Sequence, residues 1–414
     1  MTQPTAERRY DIDWLRTLAF AVLILYHLGM YYVADWGWHI KSEQTSVWLQ
    51  NLMMLTAPWR MSLLFFVSAM ALALAQNRPT LRSGLQQAGR RTRRLMVPLL
   101  FGMFVIVVPQ VYFEALSQEL IGPGYLRFWV QYINPRTDLL TDHHTPIGLL
   151  TWNHLWFLPY LWIYSLLLIA LRGPLHLLAH SAVFQRVPPL IAITVVIGIL
   201  AAVRLALHDQ FPVTNALLDD WYNHGRYLLV FVFGYLFALQ PRWWQFVIDR
   251  RRVFLCIAIT CYGLIVAERN GAFGQLDAAL AAHPVLDLLE GAVQALNLWA
   301  WIFAVVGFAG FHLYRPSALL SYTNTAILTW YMLHQTLIIV FAWSLKPLIL
   351  PVGLEAPILL ALTIAGCLLG YEIIRRVSVL RWLCGMDVSK GALQGDAKRE
   401  RKGEDDDCRA VPAP

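Results

Sequence analysis

An all-α fold is what this sequence predicts: a polytopic integral membrane helix bundle of about ten transmembrane helices, with both termini cytoplasmic. Three observations carry that expectation. Hydrophobic residues make up 58% of the 414 residues and charged ones only 14%, and the mean hydropathy of +0.51 lies far above that of a soluble chain. Apolar stretches able to cross ~30 Å of hydrocarbon recur along the whole length. Lys and Arg collect in alternate connections between those stretches, as the positive-inside rule requires.

Taken in order, spans are expected at 15–34, 47–76, 95–113, 154–171, 188–207, 225–240, 253–268, 288–313, 323–345 and 355–374. The first is too long, and too polar along one stripe, to be a cleaved signal peptide. The spans at 225–240 and 253–268 are the shortest, and 188–207 carries Arg204 near its end. One side of the membrane collects Arg8, Arg9, a 78–94 loop with Arg78, Arg82, Arg90, Arg91, Arg93 and Arg94, then Arg242, Arg250, Arg251 and Arg252, and the tail from Arg375 onward. That side is cytoplasmic. The opposite loops hold Asp35, Glu43, Asp138, Asp142, Asp209, Asp219, Asp220 and Asp277. The net charge of +7 is thus mostly topological, and no nucleic-acid partner is needed to explain it.

Other classes lack their signatures. The five cysteines, Cys256, Cys261, Cys367, Cys384 and Cys408, form no C-x-x-C pair and none falls in an expected outer loop, so neither a disulfide framework nor a metal site is suggested. There is no P-loop, no G-x-G-x-x-G and no internal repeat. The stretch from about Ser389, rich in Gly, Lys, Glu and Asp, is expected to be disordered.

The chemistry-bearing residues begin with Asp13-Trp14-Leu15-Arg16 and, eleven positions after Arg16, His27. Ionisable groups inside a membrane helix are disfavoured by at least ~2.5 kcal/mol each and default to a functional reading. On a helix, Arg16 and His27 lie about three turns apart and Asp13 one turn before Arg16, so the three share a face. Four further constellations follow. Arg90-Arg91-Thr92-Arg93-Arg94, at the expected inner mouth of the third span, suits either a headgroup anchor or a phosphate clamp aided by the helix dipole. His154-Leu155-Trp156-Phe157-Leu158-Pro159 marks the outer entrance of the fourth span, where a Trp commonly anchors at the interface. Asp142, His143 and His144 in the preceding loop make only a weak metal cluster. Tyr331 and His334 in the ninth span face one way, suited to a packing hydrogen bond or to the site. Arg60, in the second span, must meet a carboxylate, a water-filled cavity or a ligand.

A histidine near an acid and an arginine supplies a general base, an orienting carboxylate and a positive group for developing charge. Acyl transfer to a hydroxyl needs that set. With no Ser or Cys nucleophile motif, direct attack by an acceptor alcohol deprotonated by His27 is more economical than an acyl-enzyme. Basic residues on the cytoplasmic mouth suit a phosphorylated carrier such as acyl-CoA as donor. Two other classes compete. A proton-coupled transporter or flippase of a polar metabolite also uses buried His and Arg, but its inverted repeat is not visible. A non-catalytic scaffold would not need Asp13, Arg16 and His27 on one helix face.

These residues, in order, resemble the membrane-bound acyltransferase 3 family, most closely its branch for succinyl transfer to periplasmic glucans. The likeness rests on Asp11-Ile12-Asp13-Trp14-Leu15-Arg16 with His27, Phe65-Phe66-Val67-Ser68, Arg90-Arg91 through Arg94-Leu95 and Pro98, His154-Leu155-Trp156-Phe157-Leu158 and Tyr331-Met332-Leu333-His334-Gln335. It implies a multi-pass protein of the bacterial inner membrane, with 1–385 as the membrane-embedded acyltransferase domain and 386–414 as a disordered, charged cytoplasmic tail. It further implies acyl-CoA as donor substrate, no metal, and a carbohydrate or glycolipid acceptor at the outer face. His27 then becomes the base, with Asp13 and Arg16 beside it, and Arg16 with Arg90, Arg91, Arg93 and Arg94 the donor site. Arg60, His154, Trp156, Tyr331 and His334 remain candidate pore residues. Where many members have Ser-Gly, this chain has Val67-Ser68-Ala69-Met70, so packing of the second span is expected to differ. No soluble hydrolase-like domain follows the membrane region, so the membrane domain itself is expected to meet the acceptor. A succinyl pocket needs an additional cationic group that an acetyl pocket does not, a role open to Arg60 or Arg226. The acyl group, the acceptor and any homo-oligomer are left open by the sequence.

Overall fold

The computed structural model describes residues 9–74, 81–274 and 284–386. Among these the chain is all-helical, with only isolated β-bridges. The tail expected from 386 lies, Met386 apart, outside the described residues, as do Arg8, Arg78, Asp277 and Cys408. Among the described residues seven helices are long and apolar enough to cross a membrane: those within Tyr10–Tyr32, Ser83–Ser117, Asn153–His180, Pro189–Leu207, Leu288–His312, Ala318–Leu348 and Val352–Ile374.

The first helix, α1 (Tyr10–Tyr32), begins with Asp11 and Asp13 in its first turn, where acids meet the positive end of the helix dipole. The Arg9 guanidinium pairs with both Asp11 carboxylate oxygens, at 3.1 and 2.8 Å. At the other end the Lys41 ammonium donates to the carbonyls of Met30 and Val33, at 2.8 and 2.6 Å, supplying partners that a helix terminus lacks. Burial in that position pulls the Lys41 ammonium below its ordinary value.

The expected second span is not one helix. It divides into α2 (Trp48–Met54) and α3 (Arg60–Leu74), with turns between. Pro58 accounts for the break, because proline disfavours helical backbone in the residue before it and cannot donate to a preceding turn. Arg60 therefore opens α3 instead of lying mid-span.

The basic run is also placed differently from expectation. The helix α4 (Leu81–Phe101) begins before Arg90, so Arg90 to Arg94 lie within a helix and not at its positive end. The dipole contribution expected there is lost. Beyond Pro98, the chain passes through a π-turn at Gly102–Ile106 into α5 (Val108–Ser117). Such widened turns relax the backbone ladder and often sit at functional sites. The chain is tight at Gly102, where a Cβ would lie 2.2 Å from the end of the Leu155 side chain, which would have to shift.

The next segment carries α6 (Tyr125–Tyr132) and leads through a 3₁₀ turn at Asn153–Trp156 into α7 (Phe157–His180). The chain continues through α8 (Ala182–Arg186), α9 (Pro189–Leu207), α10 (Trp221–Ala238), α11 (Pro241–Asp249) and α12 (Arg251–Arg269). Then come α13 (Pro284–His312), α14 (Ala318–Leu345), α15 (Val352–Ile374) and α16 (Ser378–Leu383). The expected spans at 225–240 and 253–268 correspond to α10 and α12, which are helical but are not among the seven. With the 15-residue α3 they are the three expected spans that length and apolarity do not by themselves support.

Packing centres on α3. Phe65 and Phe66 are fully buried there, against rings of α7, α10 and α13. The close approach of α3 to α10 is made by Gly234, whose Cβ would stand 2.6 Å from the Phe66 carbonyl oxygen. The small residue at this crossing thus lies on α10, which explains how α3 packs without a glycine of its own. Against this aromatic core, α1 packs between α3 and α14, and that fixes the site.

Candidate active site

The centre is a group of three histidines from distant parts of the chain. His27 of α1, His154 of the 3₁₀ turn and His334 of α14 pack ring against ring, with centroid distances of 5.0 Å for His27 and His334, 5.3 Å for His154 and His334, and 6.5 Å for His27 and His154. The structure therefore brings together three of the residues singled out in the sequence. Tyr331 joins them: its hydroxyl donates to the His154 carbonyl at 2.5 Å.

Hydrogen-bond partners fix the tautomer of each ring. The Nδ1 of His334 lies 3.1 Å from the Trp330 carbonyl and 2.8 Å from that of Tyr331, so it carries the hydrogen. The Nε2 of His334 is then an acceptor, and it lies 2.8 Å from the Nδ1 of His27. His27 Nδ1 must donate, which leaves a lone pair on His27 Nε2, a nitrogen with no partner among the described residues.

A second chain of partners holds His154. Its Nε2 donates toward the Tyr331 and Met332 carbonyls, each at 3.1 Å, so its Nδ1 accepts from the Gln110 amide, also at 3.1 Å. The same Gln110 nitrogen donates to Thr336 at 2.7 Å, while its oxygen accepts from Asn153 and Gln335. Gln335 in turn donates to His39 Nε2, and His39 Nδ1 donates to the Glu114 carboxylate. Every donor and acceptor in this series agrees with one set of protonation states, which is the condition for a buried polar network to stabilise. The adjoining Tyr132 hydroxyl, buried in α6, donates to the Met103 and Thr151 carbonyls at 3.2 and 3.3 Å and ties the loop before His154 to the π-turn. Burial pushes the Tyr132 phenol up to about 12, so it stays a donor.

A third part lies beside His27. The Arg60 guanidinium stacks on the Tyr26 ring, 3.2 Å from its centroid, and is an electrostatic neighbour of His27, Tyr227 and Arg226. Trp156 forms the wall here, with its ring 5.6 Å from that of Tyr227 and 5.4 Å from that of Tyr160.

Asp13 and Arg16 are not at this centre. They share the helix face of His27, but Asp13 lies fourteen residues away, roughly 21 Å along the axis. The orienting partner expected to be a carboxylate is instead the neutral ring of His334. Arg16 is an electrostatic neighbour of Asp13, Arg94 and Arg91, which makes a separate basic cluster where α1 begins. Of the four arginines in the run only Arg91 is half-buried; Arg94 is exposed like Arg90 and Arg93, but is an electrostatic neighbour of Arg16 and Arg91.

Sequence reasoning passed over Gln110, His39, Glu114, Asn153 and Tyr26, and quoted Gln335 only as part of its motif. The signal for Gln110 was available, a polar side chain inside the apolar 95–113 stretch. Gln335, Asn153 and Tyr26 stand beside named residues, His39 in a loop and Glu114 just past the expected 95–113 span, where one polar side chain carries little information. His144 Nε2 lies 2.9 Å from the Leu139 carbonyl, a local loop contact.

Comparison with known proteins places this geometry in context. A family model described as an acyltransferase domain, of the acyltransferase 3 type, matches residues 9–372. Glucans biosynthesis protein C of Escherichia coli O6:K15:H31 (strain 536 / UPEC) is 23% identical over 397 residues, covering 92% of this chain and 96% of that protein. No solved structure matches.

Proposed function

We propose, for a chain that belongs to the acyltransferase 3 family and is therefore an acyltransferase, that it moves an acyl group, acetyl or succinyl, from cytoplasmic acyl-CoA to a hydroxyl of an extracytoplasmic carbohydrate. Glucan is the acceptor class in this reading, prompted by a relative whose name ties it to glucan biosynthesis. His27 is the general base in this reading. The observation that supports it most is the hydrogen-bond series Trp330/Tyr331 carbonyl, His334, His27, which leaves the His27 Nε2 lone pair free to take a proton.

The chemistry follows from that lone pair. The acceptor hydroxyl gives its proton to His27 Nε2 as its oxygen attacks the thioester carbonyl. A C–O ester bond forms, the C–S bond breaks, and the proton passes from His27 to the departing sulfur, which leaves as the CoA thiol. His334 holds the imidazole in the required tautomer and orientation, a positioning role. His154, held by Gln110 and the Tyr331 and Met332 carbonyls, packs against His334 and keeps it in place. Arg16, Arg91 and Arg94 bind the donor phosphates, with Asp13 adjusting the charge of that cluster.

In this reading α3, α10 and α12 complete a ten-span bundle, both termini are cytoplasmic, and the membrane is a bacterial inner membrane. Residues 1–385 form the membrane domain, with 386–414 as a cytoplasmic tail. The basic run in α4 then faces the donor side.

The test uses purified protein in nanodiscs with acetyl-CoA or succinyl-CoA and a glucan acceptor, following thiol release and ester formation. Wild type is expected to release thiol, and His27→Ala to lose about 10²- to 10⁴-fold in rate. Transfer that persists in His27→Ala overturns the role of the base. Absence of binding and turnover with both donors overturns acyl-CoA as the donor.

A further inference from the structure

We propose that a cavity beyond the three histidines, on the side away from the arginine cluster, holds one neutral ring of the acceptor chain against Trp38 and Trp343, so that donor and acceptor reach His27 from opposite ends of α1. The proposal rests on the acyltransferase reading above and adds where, and by which side chains, the acceptor is held.

The course of two helices places the cavity. Thr17 meets Thr323 at 3.3 Å and His27 meets His334 at 2.8 Å, so α1 and α14 run side by side in the same sense. Arg16 therefore lies on one side of the histidine pair, and the residues that follow His27 and His334 lie on the other. Tyr31 comes one turn after His27, roughly 6 Å along the axis, and Ala342 and Trp343 come about two turns after His334, roughly 12–14 Å. With Trp38 and His39 from the loop after α1, these residues line a cavity of about 270 Å³. Tyr31 and Ala342 are buried, whereas Ser117, Gln118 and Lys346, which also line it, are exposed, so the cavity leads from the interior to the surface.

Its lining selects the ligand. Both ammonium groups are already engaged: Lys41 with the carbonyls of Met30 and Val33, and Lys346 with the Glu43 carboxylate at 3.9 Å. His39 donates to the Glu114 carboxylate. Among the described lining residues no cation is left over for an anionic ligand. A hydrocarbon chain fits no better, because it would cover His39, Lys41 and Gln118 without offering a hydrogen bond. A sugar ring meets both kinds of surface, with its C–H faces on the half-buried indoles and its hydroxyls on the polar groups. The volume lies near the lower bound of about 300 Å³ for small-molecule sites, which suits one ring with the rest of its chain outside.

His39 couples the cavity to the base. Its Nε2 accepts from the Gln335 amide at 3.0 Å, and Gln335 directly follows His334. It is also an electrostatic neighbour of both His27 and His154. A ring hydrogen-bonded beside Gln118 and stacked on Trp343 thus directs the next hydroxyl of its chain toward His27. The side toward Arg16 stays open to the thioester, and neither substrate has to pass the other.

The experiment uses protein in nanodiscs, glucose oligomers as acceptor and succinyl-CoA or acetyl-CoA as donor. It compares wild type, Trp38→Ala, Trp343→Ala, Trp343→Phe and Gln118→Trp, the last placing a bulky ring at the exposed rim. Steady-state transfer gives KM for each substrate, and calorimetry gives the Kd of the oligomer without donor. Each Ala variant and Gln118→Trp are expected to raise KM and Kd for the oligomer about tenfold, with KM for acyl-CoA changed less than twofold and partial recovery in Trp343→Phe. Unchanged oligomer affinity in Gln118→Trp overturns the site, and this decides even where an Ala variant fails to fold. An equal rise in KM for acyl-CoA also overturns it, because the cavity then serves the donor. Oligomer binding that Gln118→Trp abolishes, without thiol release from either acyl-CoA, supports the cavity and overturns the donor reading alone.

Discussion

His334 Nε2 accepts a hydrogen bond from His27 Nδ1 at 2.8 Å, and its own Nδ1 is anchored to backbone carbonyls of α14. The two histidines are separated by 307 positions in the chain. The tautomer of a histidine in a helix near the start of the sequence is thus set by a helix near its end, without a carboxylate.

Removing His334 should cost rate more than affinity. Without its acceptor, His27 can place its hydrogen on either nitrogen and rotate, while Arg16, Arg91 and Arg94, the proposed site for the donor phosphates, are left unchanged. His334→Ala is expected to lower kcat about 10²-fold with KM for acyl-CoA close to wild type. A kcat within twofold of wild type would show that His27 is oriented by something else. Steady-state thiol release at varied donor concentration makes the distinction.

The arginine run should behave unequally. Arg91 is an electrostatic neighbour of Arg16 and Arg94 and keeps a buried Nε with no hydrogen-bond partner among the described residues, whereas Arg93 is exposed on the same helix. Arg91→Gln is expected to raise KM for acyl-CoA about tenfold or more, and Arg93→Gln to change it less than twofold. Equal effects would mean that the run acts only through its summed charge. Increasing ionic strength should weaken donor binding in wild type more than in Arg91→Gln.

Much of this arrangement was legible because a membrane makes polar residues conspicuous. His27, Arg60, His154 and His334 stand out against apolar sequence, and the structure gathers all four. The fold class followed from the same apolarity. What the sequence hid was partnership across the chain. The period of a helix put Asp13, Arg16 and His27 on one face, but shared facing along an axis does not bring groups into contact, and the partner of His27 came from α14. The break at Pro58 and the start of α4 before Arg90 were missed because apolar length was weighed above local backbone chemistry. Gln110 was passed over because one amide has no charge to explain, although it is the hub that satisfies His154, Asn153, Gln335 and Thr336.

That hub predicts a stability effect. Gln110→Leu keeps approximate volume but removes the acceptor for Asn153 and Gln335 and the donor for His154 and Thr336. Each buried group left without a partner costs about 1–3 kcal/mol, offset where it can relax toward water. A loss of about 2 to 4 kcal/mol is expected, visible as a lower thermal midpoint in detergent together with reduced kcat through displacement of His154. An unchanged midpoint would show that the amide network contributes no net stability.

Two glycines provide the last comparison, because they sit in helices of the same bundle with opposite surroundings. A Cβ at Gly234 would stand 2.6 Å from the Phe66 carbonyl oxygen and 3.1 Å from its Cα, whereas a Cβ at Gly263 of α12 meets nothing within 4 Å. Backbone cannot swing aside as a flexible side chain does, so α10 would have to move off α3. That movement shifts Arg226 relative to Arg60, and the ring of Tyr227 relative to Trp156. Gly234→Ala is therefore expected to destabilise the protein by about 1–3 kcal/mol and to lower the rate with it. Gly263→Ala should be neutral or slightly stabilising, since alanine forms helix better than glycine. Thermal unfolding of both variants in one detergent tests the pair, and equal midpoints would mean that the α3–α10 contact is looser than the structure shows.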